Sequence, residues 1–546
     1  MLTALHLGNF KAFADTQNIP IRPITLIFGP NSAGKSSIIH GLAMAHEASR
    51  KGDLDIFRTE LGGSSIDLGG FRQYVHRRQA TRRVEWGATF DTSQLTGRLG
   101  ELLKPVGSIA VHLTIGVSLD DQDQPVAGSV PGVISCELES KGKMLLRMSK
   151  RPDGSMAIDR LNQEHPVIKQ VIMAVLESGT TTLAVTEFDY STLAEPIADI
   201  VSSLRSTSGL FLPEGIVDKR QQTEETDSSL PFFSVSRGNR MEDLSRALRF
   251  FLPRSLNDLI SGLTKAIQHE LSRLQYLGPL RSYPPRHLAF SEHDDVNWYA
   301  GGGYAWDVVR RNVEVREKVN RWLSNTDRLQ TPYELCIRNL LTVEDMEGDY
   351  EEIISSLETR FTSGEPYDWD LFGELYAALK GLKNNEADRA HVQELVLLDK
   401  RTDTRVSHRD VGIGVSQVLP VLVSAYAAHN QIVAIEQPEI HLHPVLQAEL
   451  GDVFIESALG SSGNAFLLET HSEHLILRLM RRMRETVNGN LPEGMPPVSP
   501  DDVSILYVQP TKTGSVVRPL EIDAEGQLLD PWPGGFFEEG FRERFA

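Results

Sequence analysis

The stretch with the most chemistry in it is Gly29-Pro30-Asn31-Ser32-Ala33-Gly34-Lys35-Ser36, which fits the phosphate-loop pattern G-x-x-x-x-G-K-[ST]. Gly29 and Gly34 let the backbone curl so that successive N–H groups point into one concavity, where the dipole of a following helix also favours anionic oxygens. Lys35 is placed to reach the β- and γ-phosphates. Ser36 is placed to put its hydroxyl on Mg²⁺, a hard cation that prefers oxygen ligands and is shared with the nucleotide. The expected ligand is a nucleoside triphosphate, ATP with Mg²⁺, held by Asn31, Gly34, Lys35, Ser36 and Ser37.

A second group lies far along the chain. Ile432-Val433-Ala434-Ile435-Glu436-Gln437-Pro438-Glu439 is an apolar strand ending in acids, with Glu436 expected to hold Mg²⁺ directly or through water. Asp410-Val411-Gly412-Ile413-Gly414-Val415-Ser416-Gln417 reads as a Gly-rich turn leading into an apolar helix from Val418 to Ala428, a further anion site at a helix N-terminus. A third strand, Ala465 to Leu468, ends at Glu469-Thr470-His471-Ser472 and brings His471 toward the γ-phosphate. Gln73, closing the Gly-rich run from Leu61, is a candidate for the metal and the attacking water.

Elements must hold these residues in place. Ile24 to Phe28 reads as a buried strand, and Ser36 to Leu42 opens a helix directly after the lysine, the context the loop requires. Phe10 and Phe13 either stack on adenine, with Lys11 nearby, or pack against the sheet. From about Val84 to Arg160, alternating segments such as Ile109 to Val117 are separated by turn signals and predict an antiparallel sheet. Residues 165 to 275 predict mainly helix, including an amphipathic one from Ser255 whose apolar face runs through Leu256, Leu259, Ile260, Leu263, Ile267, Leu271 and Leu274. Arg281 and Arg286 lie in a Pro-rich segment, as phosphate contacts across a subunit interface or as structural salt bridges.

Composition narrows the class. At 546 residues the chain is too long for one ordinary core. A net charge of −19 argues against a surface that is one nucleic-acid footprint, although Arg72, Arg77, Arg78, Arg82 and Arg83, or Arg478, Arg481, Arg482 and Arg484, could form a local basic patch or a solvated face. Nucleic acid therefore stays open as a partner. No eighteen consecutive apolar residues occur, so no membrane partner and a cytoplasmic location are expected. Cys136 and Cys336 alone give no disulfide framework.

The order of phosphate loop, Gly-rich turn before a helix, acidic strand and Thr-His-Ser resembles ABC-type ATPases of the RecF, SMC and OLD group. The interval from Gln417 to Glu436, 19 residues, is similar to that between the Gln of the ABC signature and the Walker B acid. Glu439-Ile440-His441-Leu442-His443-Pro444 looks like the OLD-like variant. The resemblance implies an α/β ATPase head, its mixed sheet flanked by helices, with an antiparallel β lobe and a large mainly helical insert. The expected division is 1–83 and 396–500 for the two halves of the head, 84–164 for the lobe, 165–395 for the insert and 501–546 for a C-terminal cap.

By the same resemblance two heads sandwich two ATPs, leaving higher oligomers open. Gly412, Gly414, Ser416 and Gln417 then approach the partner's ATP, and His471 is the switch His. His441 and His443 take packing and dimer-contact roles rather than binding metal. The group includes Septu-type, PARIS-type and retron-linked anti-phage ATPases, in which a separate protein carries the toxic or nucleolytic activity. One position departs from the pattern: the acid after the metal ligand is the expected general base, and this chain has Gln437 there, so hydrolysis is expected to be slow, with Glu439 or Glu436 as substitutes. A TOPRIM nuclease needs a later Asp-x-Asp, which does not occur after His471, and no HNH-like cluster is apparent. The leading expectation is an ATPase sensor and scaffold for a separate HNH or TOPRIM effector. A RecF-like DNA-repair or DNA-end-binding ATPase comes second, and a stand-alone nuclease last.

Overall fold

Two kinds of strand are distinguishable by burial, and they build different sheets. Ile24–Phe28, Ile432–Glu436 and Ala465–Glu469 are buried at every position, as strands covered on both faces must be, whereas Val84–Asp91 and Lys143–Lys150 mix buried and exposed positions. The computed structural model describes the chain apart from residues 121, 127, 180–192, 208–210, 220–239, 282–295, 325–330, 341–350, 352–354, 356–357, 359–391, 407–412 and 536–546.

The strands are β1 (Leu2–Gly8), β2 (Gln17–Pro20), β3 (Ile24–Phe28), β4 (Val84–Asp91), β5 (Ser108–Gly116), β6 (Gly132–Ser140), β7 (Lys143–Lys150), β8 (Met156–Leu161), β9 (Leu204–Thr207), β10 (Gly215–Asp218), β11 (Leu274–Leu277), β12 (Tyr333–Leu340), β13 (Val392–Asp399), β14 (Thr404–Val406), β15 (Ile432–Glu436), β16 (Ala465–Glu469), β17 (Val503–Pro510) and β18 (Ser515–Leu520). The central sheet runs β11-β15-β16-β3-β17-β18, parallel except for the β17–β18 hairpin. An antiparallel nine-stranded sheet runs β10-β9-β8-β7-β6-β5-β4-β1-β2, and β12-β13-β14 form a third.

The central sheet divides two cores by its pleat. Leu26, Phe28, Val433, Ile435, Phe466 and Leu468 face a cluster with helices α3 (Ile413–Ala427), α4 (Pro444–Leu459) and α5 (Glu473–Asn488). Ile27, Ala434 and Leu467 face the other, with helices α1 (Ser36–Lys51) and α2 (Arg240–Ser272) and the nine-stranded sheet. The fold is thus mixed α/β, as expected. The antiparallel sheet extends past 84–164 in both directions, and the segment expected to be mainly helical contributes strands to all three sheets. Leu274-Gln275-Tyr276-Leu277 is too short to announce itself after a long helix. It reads as the end of the amphipathic face, yet it pairs with β15. That helix also begins at Arg240 rather than Ser255, with Pro253 inside it. Among the described residues no helix is long and apolar enough to cross a membrane.

Half of one expected basic patch is consumed by packing. Arg478 pairs with Glu449 and Asp452 across α4 and α5, and Arg482 grips Asp452 with two bonds of 2.7 Å, the Asp452 and Arg482 side chains being 4% and 8% exposed. Buried guanidinium left without its carboxylate is costly. Asp452→Ala is therefore expected to destabilise the fold by about 3–5 kcal/mol in denaturant unfolding; a loss under roughly 1 kcal/mol, the exposed-pair range, would contradict this.

Candidate functional site

The loop after β3 takes the conformation its sequence demands. Gly29, Ser32 and Gly34 have φ of 146°, 62° and 96°. A Cβ on Gly34 would lie 2.2 Å from the Ala12 side chain, so only glycine fits against that neighbour. α1 then starts with no acidic residue in its first turn and no side-chain cap, so its leading N–H groups form an anion-attracting end.

Lys35 is 4% exposed, and its Nζ donates to the Gly29 and Pro30 carbonyls at 3.1 Å each. Burial holds its pKa below the usual lysine range, partly opposed by Glu469, whose Oε1 lies 3.9 Å away. Ser36 Oγ donates to Glu469 Oε2 at 2.7 Å. Register explains the meeting: Glu469 lies beside Ile27 on one side and Glu436 on the other, so the strand ends deliver both carboxylates to the base of the loop.

Glu436 is 8% exposed and accepts from Tyr276 OH at 3.0 Å, with His40 Nε2 at 3.8 Å from the same oxygen. Burial, then the charge of Glu469, pushes its pKa up to about 7. His40 Nδ1 meets Lys11 Nζ at 2.6 Å; burial and then Lys11 lower His40 to about 3, so the neutral ring accepts from the ammonium. Burial likewise lowers Lys11 to about 8.

The residues around this centre sort into two groups. Lys35 and Ser36 both meet Glu469, and Glu436 stands beside Glu469 in the sheet register. Glu439 accepts from the His471 N–H at 2.7 Å, which fixes the turn carrying His471, and burial raises its pKa. His471 is half-buried, with burial and then Lys35 lowering its pKa. Ser37 is buried beside Gly34, while Asn31 is exposed on the loop. Gln437 sits at φ 49°, its N–H donating to the Glu469 carbonyl at 2.7 Å. Gln73 is exposed on the short helix Phe71–Tyr74, its side chain against Gly69, and no bond ties it to the carboxylates. Phe10 and Phe13 are fully buried, which settles them as packing residues.

The Gly-rich segment differs most. Gly412 lies outside the described residues, as does Arg286, and Gly414, Ser416 and Gln417 belong to α3 rather than to a turn before it. Ser416 and Gln417 are 1% and 6% exposed, facing their own chain rather than outward. Gln417 Nε2 donates to the Arg281 carbonyl at 3.2 Å, while the Arg281 guanidinium donates to the carbonyls of Gln417, Glu436 and Gln437 at 3.3, 3.0 and 2.9 Å. Arg281 is thus a buried clamp on backbone carbonyls. Gly414 is half-buried, against the His441 carbonyl. His443 caps α4 through Nδ1, and among the described residues no group of three or more His, Cys, Asp or Glu could hold a metal.

The sequence reading passed over Glu469, Tyr276 and His40. Glu469 was detectable, since an acid ending an all-apolar strand has the same form as Glu436. Tyr276 and His40 become site residues only through the pairing of β11 with β15 and the rotation of α1. The donor set fits Mg²⁺: two carboxylates and one hydroxyl, all oxygen, beside a phosphate cradle that supplies the remainder.

Family models match three parts of the chain: an "AAA domain" at residues 4–107, an "AAA ATPase domain" at 312–476, and a "Protein of unknown function (DUF3696)" at 498–544. Comparison with curated proteins gives no match. Similar solved structures include the SMC head bound to the C-winged helix domain of ScpA, with TM-score 0.35, 9% identity, and 95% of this chain and 97% of that chain covered. The SMC head domain from Thermotoga maritima gives 0.33, 9%, 95% and 99%. The segment holding Lys35 is thus similar to the AAA domain model and the segment holding Glu436 to the AAA ATPase domain model.

A carboxyl with a raised folded pKa stabilises the protein while protonated: that contribution is present below the ordinary value of 4.5 and is lost as pH rises through about 7. Glu436→Gln mimics the protonated form. In the ligand-free protein it is expected to raise the melting temperature by a few degrees at pH 8 and to leave it near wild type at pH 5; the opposite pH trend would refute the burial reading.

Proposed function

We propose that this chain is a Mg²⁺-dependent ATPase that works as a slow nucleotide switch, forming a homodimer around ATP and controlling a separate effector, a nuclease or toxin, in bacterial anti-phage defence. The observation that carries the ATPase reading is the meeting of Lys35 and Ser36, at an uncapped helix N-terminus, with Glu436 and Glu469. The loop N–H groups and Lys35 hold the β- and γ-phosphates. Ser36 and Glu436 would hold Mg²⁺, whose chemistry there would be to neutralise charge on the transferring phosphoryl group.

In hydrolysis a water oxygen bonds to the γ-phosphorus, the bond to the β–γ bridging oxygen breaks, ADP leaves, and the water's proton passes to a base. Gln437 can orient that water, but its amide cannot take the proton. Glu439 braces the His471 backbone through Oε1 while its buried Oε2 has no hydrogen-bond partner among the described residues, so Glu439 stands with Glu436 and Glu469 as a candidate base. His471, on the turn Glu439 braces, faces the Lys35 side of the site and reports the γ-phosphate. Slow turnover keeps the ATP state long-lived, which suits a gate more than a motor.

The N-terminal turn of α3, with Gly414 partly exposed, is the surface proposed to meet the partner's nucleotide. The net charge of −19 and the pairing of Arg478 and Arg482 weigh against DNA as the main partner.

Lys35→Ala is expected to abolish ATP binding by calorimetry, and unaltered binding would refute the site. Gln437→Glu is expected to raise turnover about tenfold or more by restoring a base; a fall would refute the slow-switch account. ATP should shift the mass of the wild-type protein, but not of Lys35→Ala, from monomer to dimer in light scattering. Co-purification from the native operon followed by mass spectrometry identifies the effector, and recovery of the chain alone in both nucleotide states would count against the scaffold role.

A further inference from the structure

We propose that Glu469 is a direct oxygen ligand of Mg²⁺ at the ATP site, so that two strand-end glutamates, rather than one, share the metal with Ser36. The proposal rests on the ATP-site reading above and adds a residue to it. Three observations carry it. The first is geometry: Ser36, the hydroxyl whose place after Lys35 suits it to the metal, directs its Oγ to Glu469 Oε2 at 2.7 Å, and not to Glu436. Displacing that hydrogen bond with a cation leaves both oxygens in place as ligands.

The second is register. β16 lies between β3 and β15, with Glu469 paired to Ile27 and Glu436. Glu469 therefore ends the strand next to the phosphate loop, while Glu436 ends the strand one further away. The nearer carboxylate has the shorter reach to a cation bridging Ser36 and the phosphates.

The third is what the remaining bonds do. Glu436 is held by Tyr276 OH, on the strand beyond it, at 3.0 Å, and has His40 Nε2 of α1 at 3.8 Å from the same oxygen. Among the described residues, Glu469 receives its side-chain hydrogen bond from the loop side, from Ser36, with Lys35 Nζ 3.9 Å from its other oxygen. Mg²⁺ at nucleotide sites is typically bound by one or two carboxylates together with phosphate oxygens and water, and this pair supplies the upper number.

The test measures metal dependence rather than turnover. ATP affinity is determined by calorimetry for wild type and Glu469→Gln, each in EDTA and in millimolar Mg²⁺, and Mn²⁺ affinity of the ATP complex is followed by electron paramagnetic resonance. The Mg²⁺-dependent gain in ATP affinity is expected to shrink at least tenfold in Glu469→Gln, with a matching loss of Mn²⁺ affinity, and to be partly recovered in Glu469→Asp. An undiminished gain in a folded Glu469→Gln overturns the proposal. So does loss of turnover with full metal dependence, which would make Glu469 a proton acceptor only. Circular dichroism and melting of Glu469→Gln and Glu469→Asp separate ligand loss from misfolding. Should wild type bind no ATP in either condition, the ATP-site reading fails first and takes this one with it; ATP binding without any Mg²⁺ gain in wild type refutes only the metal assignment.

Discussion

The site depends on one electrostatic arrangement: two glutamates buried side by side at the ends of β15 and β16, with Lys35 and Lys11 as the lysines that face them. Like charges in a low-dielectric setting raise each other's pKa, and burial adds to that. Burial raises both carboxyls and the charge of Glu469 adds to the rise at Glu436, with Tyr276, Lys11 and Lys35 opposing it there and Ser36 and Lys35 opposing it at Glu469. In the proposed ATP site the carboxylates are the oxygen donors for a cation, and the loop beside them, rich in N–H groups, is the donor for an anion. Mg²⁺ with a triphosphate would satisfy both halves at once.

That arrangement is delivered by register and held by a second set of bonds. The Arg281 guanidinium ties the carbonyls of Glu436 and Gln437 to that of Gln417, and Gln417 returns a bond to the Arg281 carbonyl. The first turns of α3 and the turn after β15 are therefore one mechanical unit. Burial lowers Arg281 to about 10, still charged at neutral pH, so the clamp keeps its strength across the physiological range. A change felt at the metal ligand has a short, hydrogen-bonded route to the helix end proposed as the partner-facing surface.

How much of this the sequence disclosed follows from which features are local. The phosphate loop, its flanking strand and helix, and the acidic strand are contiguous patterns, and each lies where its pattern places it. The antiparallel sheet was visible as alternation, but its extent was not: β1 joins through its pairing with β4, which no local window contains, and β2 follows by pairing with β1. Gly412 and Gly414 suggested a turn where Gly414 is already helical, because two glycines mimic a breaker while the packing of Val418, Leu419 and Leu422 holds the helix. Arg478 and Arg482 looked like surface charge because their partners, Glu449 and Asp452, sit on another helix.

Gln437 becomes intelligible against the buried pair. Its backbone is fixed at φ 49° between the Glu469 carbonyl and Arg281, so its position next to the two glutamates is not adjustable. A carboxylate there would stand beside two others, with the nearby Arg281 guanidinium already bonded to the Glu436 and Gln437 carbonyls, and the repulsion would fall on the same desolvated region that already raises Glu436. A neutral amide limits that charge while keeping a group able to orient water. With Glu436, Glu439 and Glu469 already buried around Lys35, a further acid is electrostatically disfavoured, and in the proposed switch the neutral amide favours retention of bound ATP over its rapid hydrolysis.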